Sequence, residues 1–260
     1  HKSFRPEGDG KEDMTLKGIS LDRLKDRMGL LQSFDQFRRD VDAAGLMEGM
    51  DAFNQQAFGI LTSSRLAEAL DHTREPRRTI EMYGKGDTGI RGDAAPRILE
   101  QFLVARRLVE AGVRFVSLTY GGWDHHNDIK NGFARQAPSL DKAYATLIRD
   151  LDSRGLLKST LVMVSSEFGR TPKVNKNNGR DHWPRVFSVL LAGGGIKEGQ
   201  VYGASNAFAS EPEEDPLTVE DLTTTVYNQL GIVGDKELMA PGDRPIEIVK
   251  GGSVVDALLG

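Results

Sequence analysis

Three of the five histidines in this 260-residue chain stand beside aspartates in two short segments. The first, "GGWDHHND" (121–128), puts Asp124, His125, His126 and Asp128 within five residues. The second, "GRDHWP" (179–184), carries Arg180, Asp181 and His182. Neutral imidazole and carboxylate together suit zinc, manganese or iron, and flanking glycines let a chain turn tightly around an ion. A bland reading stands beside this one: a solvated loop whose histidines cap backbone groups. His1 and His72 lie elsewhere and read as incidental.

Between the two segments, "SSEFGR" (165–170) ends an apolar run in Glu167 and Arg170. A carboxylate at the end of a buried strand is costly without a cation, so Glu167 needs Arg170, Arg180 or a metal. Asp181 and His182 form either a ligand pair or a ligand with its orienting carboxylate. The competing structural reading has Glu167 and Arg170 paired to pin the loop, with His182 packed on Trp183. Weaker signals carry less. "GGG" (193–195) lacks the spacing of a nucleotide-binding fingerprint and reads as a tight turn. Ser165 and Ser166 have no nucleophile-elbow context, and "REPRR" (74–78) reads as a solvated basic segment.

Composition removes several classes of function. With no cysteine, disulfides, thiolate nucleophiles and Cys-bound zinc are excluded, so a metal must be held by His, carboxylate or backbone oxygen. The 34 basic and 38 acidic residues are mixed along the chain, without the basic stripe that nucleic-acid binding requires. No apolar run reaches the ~18 residues of a membrane span. Hydrophobic residues at 38% and charged residues at 28% fit a globular chain. Its start at His-Lys-Ser, with no signal peptide, predicts a fragment whose N-terminal part is missing.

The elements that must position these residues follow from periodicity. Leu21, Leu24, Met28, Leu31, Phe34 and Phe37 predict an amphipathic helix from a Ser20 cap to about Ala44. Met50 to Leu70 supplies a second, giving a helical hairpin. With the linker 84–96, which holds four Gly and a Pro, this makes a first segment of residues 1–95. Residues 96–260 alternate: helix 98–111, strand 113–120, helix 138–154, strands 159–166 and 186–193, and a Thr-capped helix 218–232. That order predicts an α/β domain with a largely parallel sheet sandwiched by helices. In such sheets ligands sit beyond the carboxyl ends of the strands, where "GGWDHHND" and "SSEFGR" fall.

The segments "GGWDHH", "EFGRTP", "NGRDHWP", "FSVLLAGGGIKEGQVYGAS" and "DLTTTVYNQLGI" resemble the DUF1501 family over about residues 4–250, most specifically across 165–203. That family is abundant in planctomycetes and grouped with the alkaline-phosphatase-like (sulfatase-like) superfamily. The resemblance implies a metal-dependent hydrolase fold whose relatives cleave phosphate or sulfate esters with two metals and a Ser, Thr or formylglycine nucleophile. It implies metal ligation by Asp124 and His126, with His125 supplementary or incidental, Glu167 in place of a strand-end Asp, and His182 as the late His. Arg170 or Arg180 would clamp the ester anion. The cofactor would be a divalent metal, zinc first, with manganese or calcium as alternatives, and the partner a small-molecule or glycan ester. Two departures stand out. Phe168 occupies the place of a ligand His, and the early Asp and nucleophile would lie upstream of residue 1. The resemblance also implies an exported, periplasmic location. The alternative function is a non-catalytic relative that binds sulfated or phosphorylated glycans at the cell surface.

Overall fold

The structure, a computed structural model, describes residues 64–89 and 95–260 together with Ser20, Asp22, Arg23, Asp26 and Arg27. The predicted helix 20–44 and most of the helix 50–70 lie outside the described residues. The chain divides into two compact units, one of residues up to Ile80 plus Leu103–Val116, the other Glu81–Phe102 plus Ser117–Gly260. The boundary expected at 95/96 falls inside the second unit.

In the first unit, α1 (Ser64–Leu70) leads through a short 3-10 turn at His72–Arg74 to α2 (Arg77–Tyr83). The second half of α3 (Glu100–Glu110) joins them through charge. Arg106, fully buried, places Nη2 2.9 Å from Glu75 Oε1 and Nη1 2.5 Å from Glu110 Oε2. Arg107 also pairs with Glu75, and its Nε donates to the Ala69 carbonyl at 3.0 Å. The basic residues of "REPRR" are exposed, as expected, while Glu75 among them turns inward and anchors two arginines of α3.

In the second unit, α4 (Ile129–Ser153) is the longest described element, 25 residues, and runs through Pro138. The sequence predicts its start near 138, since proline is normally found in a first helical turn. The helix instead begins nine residues earlier. Its buried face there is Gly132 and Gln136, which leave no apolar period to read; farther on it is Ala143, Thr146, Leu147, Asp150 and Leu151. Tyr83, at the end of α2, is completely buried and donates its hydroxyl to Asp150 Oδ2 at 2.9 Å. Tyr120 packs edge-on to Phe102 and its hydroxyl meets Ser139 Oγ, so α4 also holds the end of segment 117–120. Helix α5 (Val219–Gln229) starts at the predicted Thr218 with a full capping box to Asp221.

The strands differ most from expectation. All strand pairs among the described residues are antiparallel and two-stranded. β1 (Val162–Val164) pairs with β4 (Leu190–Ala192), and β2 (Gly169–Arg170) with β3 (His182–Trp183). β5 (Ala204–Ser205) pairs with β6 (Pro212–Glu214), and β7 (Glu237–Ala240) with β8 (Arg244–Glu247). The predicted strand 113–120 forms no ladder among the described residues. Apolar runs show that a segment can be buried; the partner that gives a strand its direction lies elsewhere in the chain.

Burial raises the Glu75 carboxyl pKa, but hydrogen bonds and charge from Arg106 and Arg107 outweigh it and leave the value lowered. A carboxyl depressed on folding contributes stability above its unfolded pKa and loses it as pH falls through the folded value. Replacing Glu75 by Gln removes one carboxylate from buried Arg106, which keeps Glu110. We expect Glu75→Gln to lower unfolding free energy by about 3 kcal/mol at neutral pH. It should also flatten the acid-side loss of stability seen in the wild type. Urea titrations across pH check both.

Candidate metal centre

Two loops of the second unit build the site. The first, 121–128, is clamped onto α4. Gln136 accepts from Gly122 N at 3.0 Å and donates to the Gly122 carbonyl. The second, 171–181, connects β2 to β3. The two are laced together by backbone: Arg180 N donates to His125 O at 3.0 Å, Asp128 N to Asn177 O at 3.0 Å, and Ile129 N to Asn178 O at 2.9 Å. Gly179 is buried against the first loop, and a Cβ there would lie 2.0 Å from the His126 carbonyl carbon. Only glycine permits that approach.

This lacing brings Asp124, His126 and His182 together, with one ligand atom from each lying within 4.8 Å of the others. His182 Nε2 is 2.8 Å from Asp124 Oδ1. His126 Nε2 is 3.1 Å from the same oxygen and 3.2 Å from His182 Nε2. Ligands about 2.0–2.1 Å from a tetrahedral zinc stand roughly 3.3 Å from each other, so the three atoms need to move only by about half an ångström. Behind them, His126 Nδ1 is 2.7 Å from Asp181 Oδ1. The hydrogen bond from His126 is the foremost cause of a lowered Asp181 pKa, which keeps that carboxylate ionised and makes Nδ1 the donor. In neutral His126 the opposite nitrogen, Nε2, then presents its lone pair to the cluster.

Asp124 is lowered chiefly by the hydrogen bond from His182; partial burial opposes this, and Arg170 adds to it. Arg170 Nη2 sits 2.6 Å from Asp124 Oδ1. Arg170 and His182 are direct cross-strand partners in the β2–β3 pair, so both reach the same carboxylate from one face. Phe168 closes the other side, its ring 4.3 Å from that of His182 and tilted by 34°.

The remaining expected residues are placed differently. His125 turns away from the cluster and lies against α4 at Gly132, where a Cβ would meet its ring at 2.6 Å. It packs against both Trp123 and Phe133, and Gln136 Nε2 lies 3.1 Å from its Nε2. Burial, then the charges of Arg170 and Arg135, lower its pKa against the pull of Asp124, which favours the neutral ring. Glu167 is exposed, and among the described residues it forms no ion pair with Arg170. Left in solvent, its carboxylate needs no counter-ion. Arg180 spends Nη1 on the carbonyls of Thr171 and Pro172, at 2.7 and 2.8 Å, and so braces the loop. His182 packs on Phe168 instead of Trp183, because adjacent strand residues face opposite sides. Gln136, Gly132 and Asn175 escaped the sequence reading; the turn-forming run "NKNNG" (175–179) was the available signal for the last.

A family described as "Protein of unknown function (DUF1501)" matches residues 3–259. The chain belongs to the DUF1501 family. No curated protein and no solved structure matches it. For this DUF1501 chain, no described helix is long and apolar enough to cross a membrane.

Because Gly179 carries the loop contact on backbone, Gly179→Ala should part the loops without touching a ligand. We expect amide exchange at Asp128, Ile129 and Arg180 to accelerate at least about tenfold, with Tyr83 and α5 unaffected. Hydrogen-exchange NMR reads this out residue by residue.

Proposed function

We propose that this protein is a metal-dependent hydrolase of phosphate or sulfate esters. Asp124, His126 and His182 would hold one divalent cation, zinc in preference to manganese or calcium. The observation carrying this reading is the facing of two imidazole nitrogens and a carboxylate oxygen at 2.8–3.2 Å, with Asp181 behind one ring. Neutral imidazoles with one carboxylate form the donor set of catalytic zinc sites that keep a coordination position open. Such an ion polarises an ester oxygen and lowers the pKa of bound water.

The chain's own residues supply the rest of the proposed site. Asp181 holds His126 in its ligating tautomer. Arg170, already on the cluster, would turn its guanidinium from Asp124 and the Arg180 carbonyl to meet a phosphate or sulfate oxygen pair. Arg180 is left out of that clamp, since its guanidinium braces the loop. Glu167 and His125 are left out of the ligand set. The alkaline-phosphatase-like fold with a parallel sheet, and an exported location, belong to the same proposal and are carried by the family resemblance alone.

One observation favours the second reading, a non-catalytic relative that binds sulfated or phosphorylated glycans. Among the described residues there is a single ligand cluster, and Phe168 covers one side of it with an apolar ring. Esterase chemistry with two metals would need further ligands from elsewhere in the chain.

Elemental analysis and calorimetry on the purified protein, with a screen of aryl phosphates and sulfates, distinguish the readings. The hydrolase reading expects one zinc per chain, proton release on binding, and turnover lost in His182→Ala together with at least about a hundredfold in metal affinity. Metal binding and anion binding without turnover would favour the glycan binder. Unchanged metal content in His182→Ala would overturn the site.

A further inference from the structure

Asn175 has every polar atom engaged. Its backbone N donates to Gly179 O at 2.8 Å, and its carbonyl accepts from Asn178 N at 3.1 Å. Its side-chain Oδ1 accepts from Asn177 N at 2.9 Å and Gly179 N at 3.0 Å. Its Nδ2 donates to His126 O at 3.0 Å and to Asp181 Oδ1 at 3.2 Å. One end of the amide thus folds the β2–β3 loop. The other end grips the main chain of one candidate ligand and the carboxylate behind that ligand's ring.

From this geometry we infer that Asn175 is the positioning residue of the centre: it aims Asp181 at His126 Nδ1 and thereby fixes which imidazole nitrogen faces the cluster. This rests on the metal-site reading above for its purpose, though the tautomer it sets exists without any ion. The requirement is for two acceptor and two donor bonds on a two-atom stem. Aspartate has the shape and the acceptors but no donors, and would set a second carboxylate against Asp181 and the His126 carbonyl. Glutamine has the donors but reaches one methylene too far. Asp181 therefore acts through His126, and Asn175 acts through Asp181.

Two variants separate aiming from folding. Asn175→Ser keeps an acceptor that can close the same turn but cannot reach His126 or Asp181; Asn175→Asp keeps the shape and inverts the donors. The test combines nitrogen-15 shifts of His126, which report the tautomer in metal-free protein, with cobalt(II) affinity. Both variants should lose the Nδ1–H form as the dominant tautomer and bind cobalt about 10–100-fold more weakly, while the amide exchange of Asn177 and Gly179 in Asn175→Ser stays within severalfold of the wild type. An unchanged His126 tautomer in either variant would overturn the proposal, as would loss of the tautomer only alongside loss of the turn in both. If wild-type protein binds no cobalt, the metal reading fails, and the nitrogen-15 result still decides the role of Asn175.

Discussion

The site depends on one close backbone approach, that of Gly179 to the His126 peptide. With no side chain at 179, the second loop can lie directly on the first, and Arg180 N, Asp128 N and Ile129 N all find carbonyl partners across the gap. Those bonds satisfy backbone groups that would otherwise need water, and they bring Asp124 and His182, 58 residues apart in sequence, within 2.8 Å. A cluster of half-exposed side chains could not hold such distances by its own attraction. Surface ion pairs contribute little, and the ordering of each side chain opposes them. The main-chain contact does the positioning.

Helix α4 provides the rigid backing. Its first half buries a glycine and a glutamine where a helix usually buries aliphatic side chains, and both serve the 121–128 loop. Gly132 leaves a flat patch for the His125 ring, while Gln136 grips both polar groups of Gly122. His125 is thus a wedge between loop and helix, and its neighbour His126 is turned toward the cluster. Adjacent residues of the same type end in opposite roles because the helix accepts only one of them.

The charges follow the same layout. Asp124 receives Arg170 and His182, Asp181 receives His126 and Asn175, and each carboxylate stays ionised because its partners donate to it. Around Asp124 Oδ1 the Arg170 guanidinium and the two imidazoles converge within 3.1 Å.

Much of this was legible in the sequence and some was not, for physical reasons. The Asp-His pairs at the ends of apolar runs, the Thr218 cap and the stop of α3 before Gly112, which takes φ +93°, are local features that a few residues settle among themselves. The residue types also fixed the chemistry open to the site, since a chain without cysteine can offer a metal only imidazole, carboxylate and backbone oxygen. Tertiary structure decided which of two adjacent histidines joins the cluster, that Glu167 stays in solvent, that Arg180 braces the loop, and that α4 begins at Ile129. Each of these depends on what lies across a contact, such as Gly132 under His125, Phe168 over His182 or the Thr171 carbonyl before Arg180. No local pattern encodes a partner dozens of residues away.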